Sequence, residues 1–158
     1  MEYIFFWGEN TQDGFLSNFY PSEFTVDGKK YNCSEQYFMK KKQELFDPKN
    51  IKLATDIMKE TNPKDIKKYG RQVKFFIAEI WDENKVKAMH DGVFAKFLQN
   101  PELKAKLLAT GDKSLVEASP YDMIWGIGFK KENALKNKDR WGQNLLGQVL
   151  MQVRNELK

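Results

Sequence analysis

Glu35 and Lys42 pair an acid with an amine at a spacing that could support chemistry. Both lie on a predicted helix, and residues seven apart are almost two full turns apart, so they project from one face. Phe38 and Met39 lie between them, so the acid and the amine would flank an apolar patch and could act as proton donor and nucleophile. The spacing also allows a structural interpretation. In that case Glu35 is the capping-box partner of Asn32, and Lys42 is a cation near the helix C-terminus.

A second candidate segment runs from residue 115 to residue 128 and holds Glu117, Asp122 and Trp125 in otherwise apolar surroundings. Gly126 and Gly128 would let the backbone approach a ligand closely. A carboxylate beside an indole is one way to raise the pKa of an acid and to stack a base. Alternatively, Asp122 only caps a turn and Trp125 belongs to the core. No G-x-G-x-x-G motif precedes a helix, so the segment is not a dinucleotide fingerprint.

Asn18 is a third candidate, within a segment, 14–21, that is too short and too mixed for regular structure. Its amide could bind a ligand amide or hydroxyl, or it could be a turn residue that bonds its own backbone. His90, the only histidine, lies near the apolar stripe of a predicted helix, and we interpret it as structural.

Composition limits the classes of function. The net charge of +4 suits an anionic ligand but does not establish binding to nucleic acid, since 26 basic residues are interspersed with 22 acidic ones. One cysteine excludes an intramolecular disulfide and a thiolate metal site, and one histidine disfavours zinc. No apolar run approaches a membrane span, and the first residues lack the basic region of a signal peptide. We therefore expect a cytoplasmic protein with no metal, while the oligomeric state stays open.

The elements that must position these residues are mostly helices. Asp27-Gly28 between alternating segments predicts a hairpin over 23–31, and a helix is predicted from Ser34 to Phe46, in which Lys40 and Lys41 are solvated. Asp82 would cap a long helix, with Trp81 and Val86 at the hydrophobic-staple positions. Further helices are predicted to begin at Ile51, Asn62-Pro63 and Asn100-Pro101, and a last helix is predicted over 145–153. Strands are predicted over 3–7, 114–118 and 124–129. The pattern predicts an α+β fold, in which a single helix-rich domain over residues 1–158 holds a small sheet of short, largely antiparallel strands.

Taken together, the motifs of this chain resemble the NADAR superfamily of YbiA-like N-glycosidases. They occur in the family's order and cover roughly residues 5 to 157. The matching pieces are 15–21, 34–38 with Lys42, 70–73, Trp81, 96–101, 107–112, 115–120, Asp122, 124–128 and 141–147.

The resemblance implies hydrolysis of an N-glycosidic bond between ribose and a base. Two substrate types are associated with the family, phosphoribosylated pyrimidines of riboflavin synthesis and ADP-ribose attached to guanine, free or in nucleic acid. It implies that Glu35, Lys42 and Asp122 are catalytic, with Lys42 forming a Schiff base on the opened ribose, which requires a neutral amine with a lowered pKa. It further implies that Asn18, Arg71, Trp81, Glu117 and Trp125 bind the substrate, and that no cofactor is needed. The alternative is a non-catalytic module that binds ADP-ribose or a nucleotide with the same tryptophans and arginine.

Overall fold

The computed structural model describes residues 2–158, which form two compact units. One unit is continuous and spans 21–100, and the other combines 2–20 with 101–158. The strands are β1 (Tyr3–Phe6), β2 (Phe24–Val26), β3 (Lys29–Tyr31) and β4 (Ser114–Glu117). The helices are α1 (Ser34–Phe46), α2 (Ile51–Lys59), α3 (Pro63–Gly70), α4 (Ala78–Gln99), α5 (Pro101–Ala109), α6 (Lys131–Ala134) and α7 (Leu145–Glu156), with 3-10 helices at Gly14–Leu16 and Leu135–Arg140. This confirms the predicted helix-rich α+β class, whereas one domain over residues 1–158 stays a prediction.

The predicted hairpin is confirmed as the antiparallel pair of β2 and β3. Asp27 and Gly28 have φ values of 50° and 79°, as a two-residue turn with both central residues in the left-handed region requires. The amide of Gln99 closes the outer edge of β2, because it accepts from Thr25 N at 2.8 Å and donates to Thr25 O at 2.7 Å. The hairpin is thereby fixed to the end of α4.

Helix α1 has the predicted bounds and packs against α2, α3 and α4. At its start, the buried Gln36 accepts a hydrogen bond from Asn32 N at 2.8 Å and donates to Ile57 O at 2.9 Å. The capping interaction with Asn32 is therefore made by Gln36 and not by Glu35.

The prediction that Asp82 caps the long helix is wrong, since α4 already begins at Ala78. Trp81 N donates to Ile77 O at 3.0 Å, and Asp82 lies inside the helix, where it pairs with Lys85 at 2.8 Å. Ala78 is a strong helix former and an acid in the first turn stabilises the helix dipole, so the helix extends upstream of the residue with the best capping chemistry. The expected hydrophobic staple is absent accordingly.

In the other unit, β1 and β4 pair in parallel, with Tyr3 opposite Ser114 and Phe6 opposite Glu117. The expectation of largely antiparallel strands therefore holds only for β2 and β3. A parallel pair needs a long crossover connection, and more than half of the chain separates these two strands. Helix α7 packs on β4 and buries Leu146, Val149, Leu150 and Val153.

The predicted strand over 124–129 is wrong. Its carbonyl groups and that of Met123 accept hydrogen bonds from backbone amides of residues 142–146, but the partners do not follow one another in sequence as they do in a strand pair. Gln143 N donates to Met123 O, Asn144 N to Gly126 O, and Leu146 N to Trp125 O. The segment is thus a looped one, fixed by the start of α7. Within residues 2–158, no helix combines the length and the apolar character needed to cross a membrane.

Candidate active site

One face of α1 carries Glu35, Phe38, Lys42 and Phe46, which follow one another at intervals of three or four residues. Glu35 is only 6% exposed, which is uncommon for a carboxyl group. Its negative charge acts on the ammonium group of Lys42 and on the buried Cys33 thiol. The predicted sharing of a face by Glu35 and Lys42 is therefore observed, and the acid lies in low-dielectric surroundings.

Lys42 is half-buried and donates a hydrogen bond from Nζ to Gly70 O at 2.9 Å. Burial lowers the pKa of this lysine, the carboxylate of Glu35 opposes the shift, and the guanidinium of Arg71 adds to it. The net result is a pKa below the ordinary value. A larger fraction of the amine is therefore neutral at a given pH, which is the state that a nucleophilic lysine needs.

The two preceding lysines differ from Lys42 in their contacts. The prediction that both are solvated is wrong for Lys40, which is 7% exposed and lies 3.6 Å from a carboxylate oxygen of Glu44. Lys41 lies 3.6 Å from the other oxygen of the same carboxylate and 5.2 Å from the ring of Tyr37. Each of them is thus matched to an acid one turn along the helix, whereas Lys42 faces a backbone carbonyl and two residues that act on its pKa.

An aromatic cluster, defined here as Phe38, Phe46, Phe76 and Trp81, adjoins Lys42. The Trp81 ring centroid lies 5.0 Å from that of Phe38 and 6.1 Å from that of Phe46. Phe76 lies 5.2 Å from Phe46 and 5.0 Å from Lys42 Nζ. In the unit spanning 21–100, the predicted site residues Glu35, Lys42 and Arg71 are thus brought together, and Trp81 joins the same face of α1 through its rings.

In the other unit, Asp122 organises the loop that carries Trp125. Its Oδ1 accepts hydrogen bonds from Ile124 N at 2.9 Å and from Trp125 N at 2.8 Å. The capping role that was one of the two interpretations of Asp122 is therefore present. Because both bonds end on Oδ1, the second oxygen, Oδ2, takes part in neither, so capping and chemistry can use different atoms of one carboxyl group.

Glu117, at the end of β4, is tied to the same loop. Its carbonyl oxygen accepts from Ile127 N at 3.0 Å, and a Cβ on Gly126 would lie 2.8 Å from that oxygen, so the loop approaches the strand too closely for any side chain at Gly126. Asn144 completes the arrangement, since its Oδ1 accepts from Glu117 N at 3.0 Å and its Nδ2 donates to Leu115 O at 3.0 Å. Glu117, Asp122 and Trp125 are thereby held together.

Asn144 is a residue that the sequence interpretation did not single out. Its φ of 52° is in the left-handed region, which asparagine tolerates better than most residues. The available signal was its place in the matching piece 141–147, together with the general preference for asparagine at such positions.

Asn18 follows the 3-10 helix Gly14–Leu16, so the expectation of no regular structure in this segment is wrong for those three residues. Within this turn, Ser17 Oγ accepts a hydrogen bond from Phe19 N at 3.1 Å. Asn18 is partly buried beside it. His90 lies 3.1 Å from Asp91 and stacks on Phe94, away from the contacts of Lys42. In the described part of the chain, no group of three or more His, Cys, Asp or Glu residues could hold a metal ion.

Comparison with known proteins identifies the family. The model of the NADAR domain matches residues 5–158. An N-glycosidase of Acanthamoeba polyphaga mimivirus, R617, is 39% identical, with 98% of this chain and 96% of that protein covered. The N-glycosidase YbiA of Escherichia coli is 32% identical, with 98% and 88% covered. A riboflavin biosynthesis protein of Vibrio vulnificus is 35% identical over 98% of this chain, but only 38% of that longer protein is covered.

The fold agrees with these matches. An NMR structure of the Escherichia coli protein YbiA superposes with a TM-score of 0.77 at 32% identity, covering 99% of this chain and 84% of that one. The resemblance stated from the motifs is confirmed, and so is the class of enzyme, since the relatives named above include two N-glycosidases. The chain belongs to the NADAR family.

Proposed function

We propose that this chain hydrolyses the N-glycosidic bond between ribose and a base in a nucleotide-like substrate. It is a glycosidase that acts on an N-glycosyl bond, as its family membership and its N-glycosidase relatives support. The observation that carries the proposal is the pairing on α1 of the buried Glu35 with Lys42, whose pKa is lowered by burial and by Arg71. A binding module would gain nothing from a buried acid beside a lysine whose pKa is lowered.

In the proposed reaction, Lys42 Nζ bonds the anomeric carbon of the ribose, and the carbon–nitrogen bond to the base breaks. The bonding electrons leave with the base, which takes a proton from a carboxylic acid, Glu35 or Asp122. Opening of the ribose ring leaves a Schiff base on Lys42, with the Nζ proton transferred to the former ring oxygen. One water molecule then adds to the imine carbon of the still protonated Schiff base, the sugar and the free amine are released, and the remaining proton returns to the carboxylate.

The remaining residues bind the substrate. Arg71 would pair with a phosphate through its planar guanidinium, and Trp81 and Trp125 would stack on the base or form the walls of the pocket. Asn18 and Glu117 would hydrogen-bond the sugar or the base. Glu35 and Asp122 both orient the sugar in addition to transferring protons. These assignments suit both ADP-ribosyl-guanine, free or in nucleic acid, and phosphoribosyl-aminopyrimidines, and they need no metal or organic cofactor.

One experiment distinguishes the two substrates. ADP-ribosylated guanine in DNA and a phosphoribosyl-aminopyrimidine are offered side by side, and the released sugar is measured. The single buried thiol of Cys33 is consistent with our placing the chain in the reducing cytoplasm, where both substrates would be met. Binding of either compound without release of sugar would instead favour the non-catalytic module.

Lys42 is tested by trapping. Borohydride added during turnover should reduce the Schiff base and attach the sugar covalently to Lys42. The adjacent residues provide matched controls, because Lys42→Ala should abolish trapping and turnover, while Lys41→Ala should leave both largely intact. Lys40→Ala is a stricter control, since Lys40 is also buried but faces Glu44. Trapping on another lysine, or full turnover by Lys42→Ala, would refute the nucleophile and leave a mechanism with carboxyl groups alone.

A further inference from the structure

The segment between α3 and α4 exposes two consecutive phenylalanine rings, and the second of them, Phe76, lies beside Lys42. Phe75 is 74% exposed and Phe76 is 45% exposed. Ile77 and Ile80 are also exposed, so the apolar surface continues onto the first turn of α4. Large apolar side chains grouped at the surface of one segment point to a ligand rather than to the core.

Phe75 has a backbone conformation that its side chain does not explain. Its φ is 63°, which is in the left-handed region, where a bulky residue other than glycine is an outlier and costs energy. In a buried residue, packing could offset such strain, but most of the Phe75 side chain is in contact with solvent. Strained residues of this kind cluster at functional sites.

The strained turn is held in place on both sides. Before it, Val73 is buried, and Lys74 N donates to the buried Asp47 carboxylate at 3.2 Å. After it, Ile77 O accepts the hydrogen bond from Trp81 N at 3.0 Å that begins α4. The two rings are therefore presented by a fixed turn rather than by a loose loop, which reduces the entropy lost when a ligand binds.

Phe76 connects this turn to the candidate chemistry. Its ring lies 5.0 Å from Lys42 Nζ and 5.2 Å from the ring of Phe46. A base bonded to the carbon that Lys42 attacks would be within reach of the same ring. Nearly half of Phe76 is exposed, so part of its surface is available for stacking.

We infer that Phe75 and Phe76 form a stacking platform for the planar heteroaromatic base of the substrate, and that they favour a flat leaving group over a saturated one. The inference rests on the proposed function for its choice of ligand. Aromatic rings stack on every base, so the platform selects for a flat, unsaturated leaving group and against a saturated one. The platform binds the base, while Glu35 and Lys42 act on the sugar.

The test separates an aromatic ring from mere apolar surface. Phe75 and Phe76 are each changed to Leu, which is apolar without a ring, and to Tyr, which keeps the ring. The affinity for guanosine and for ribose 5-phosphate, which lacks the base, is measured by calorimetry. We expect Leu at either position to weaken guanosine binding by about 5- to 150-fold, Tyr to preserve it, and ribose 5-phosphate to be unaffected. Ile51→Ala, which removes an exposed apolar side chain elsewhere in the same unit, should change neither affinity.

The readout does not depend on turnover, so the two proposals can fail separately. If the Leu variants bind guanosine as well as the Tyr variants, or if the unmodified chain does not bind guanosine, the platform is refuted even when Lys42 is trapped by borohydride. If Lys42 is never trapped and no sugar is released, the ring dependence of guanosine binding still supports the platform while the hydrolase proposal falls. With an active substrate, the Leu variants should raise KM more than they lower kcat.

Discussion

Lys96 is the most deeply buried charged side chain of α4, and its protonation should make stability depend on pH. It is 1% exposed, with Nζ 4.9 Å from the Phe97 ring. Burial lowers the pKa of Lys96 from 10.5 to about 7, with a small opposing effect of Cys33. Above pH 7 the folded chain has released this proton while the unfolded chain still holds it. Stability therefore rises with pH by about 1.4 kcal/mol per unit, or about 2 kcal/mol between pH 7 and pH 8.5.

The measurement compares the unmodified chain with Lys96→Met, whose side chain is of similar length and does not titrate. Urea unfolding at pH 6, 7, 7.5, 8 and 8.5 gives the free energy of unfolding of each. The difference between the two should be constant below pH 7 and should then change by about 2 kcal/mol in favour of the unmodified chain. The range stops at pH 8.5 because burial raises the pKa of the Cys33 thiol to about 11, so at higher pH the ionisation of the unfolded thiol opposes the rise in stability and flattens it.

Lys67→Met serves as the control, because Lys67 is exposed on α3 and its removal should leave the pH dependence unchanged. If the curves of the unmodified chain and Lys96→Met run parallel from pH 6 to pH 8.5, Lys96 stays charged in the folded state. The reasoning from burial would then be wrong.

Three further outcomes are expected. Asp122→Asn keeps an oxygen for the Ile124 and Trp125 amides, so it should fold normally but lose about 100- to 10,000-fold in turnover; normal turnover with unchanged melting would remove Asp122 from the chemistry. Arg71→Met removes a cation that lowers the pKa of Lys42, so the alkaline rise of kcat should move to higher pH, and a pH–rate profile at the old position would contradict this electrostatic role. Asn144→Ala loses two hydrogen bonds and strains a left-handed residue, so urea or thermal unfolding should show a free energy of unfolding lower by about 2–4 kcal/mol. Asn144→Gly should relieve the backbone strain but not restore the hydrogen bonds.

The elements that could be predicted from the sequence are those whose local chemistry and tertiary packing agree. The Asp27-Gly28 pair suits a turn with left-handed backbone at both positions, and α1 ends before Asp47-Pro48, so both elements carry a local signal in the sequence. The start of α4 could not be predicted, because Ala78 and the residues after it are helical in spite of a better cap at Asp82. The loop at 124–129 has the composition of a strand, but its backbone partners come from the start of α7, which no local pattern reveals.

The candidate site divides in the same way. The sharing of one face by Glu35 and Lys42 follows from helical periodicity, and the sequence therefore sufficed to predict it. The environment of Lys42 did not follow, because Gly70, Arg71 and Phe76 are brought to it by the packing of α3 and the following turn. Phe75 gave no signal at all, since nothing in its residue type indicates a left-handed conformation.

The interleaved order of the two units has a consequence for biosynthesis. The unit spanning 21–100 is one uninterrupted segment of the chain. All the strands and helices that pack together within it have therefore left the ribosome once its last helix, α4, has emerged. Strand β1 is made before that unit, yet it pairs with β4, whose residues come more than a hundred positions later. Until then the backbone donors and acceptors of Tyr3–Phe6 lack their parallel partner, and an apolar strand with an open edge is a template for pairing with other chains. During translation, we therefore expect this short aromatic segment to be a site where a chaperone binds or where aggregation begins.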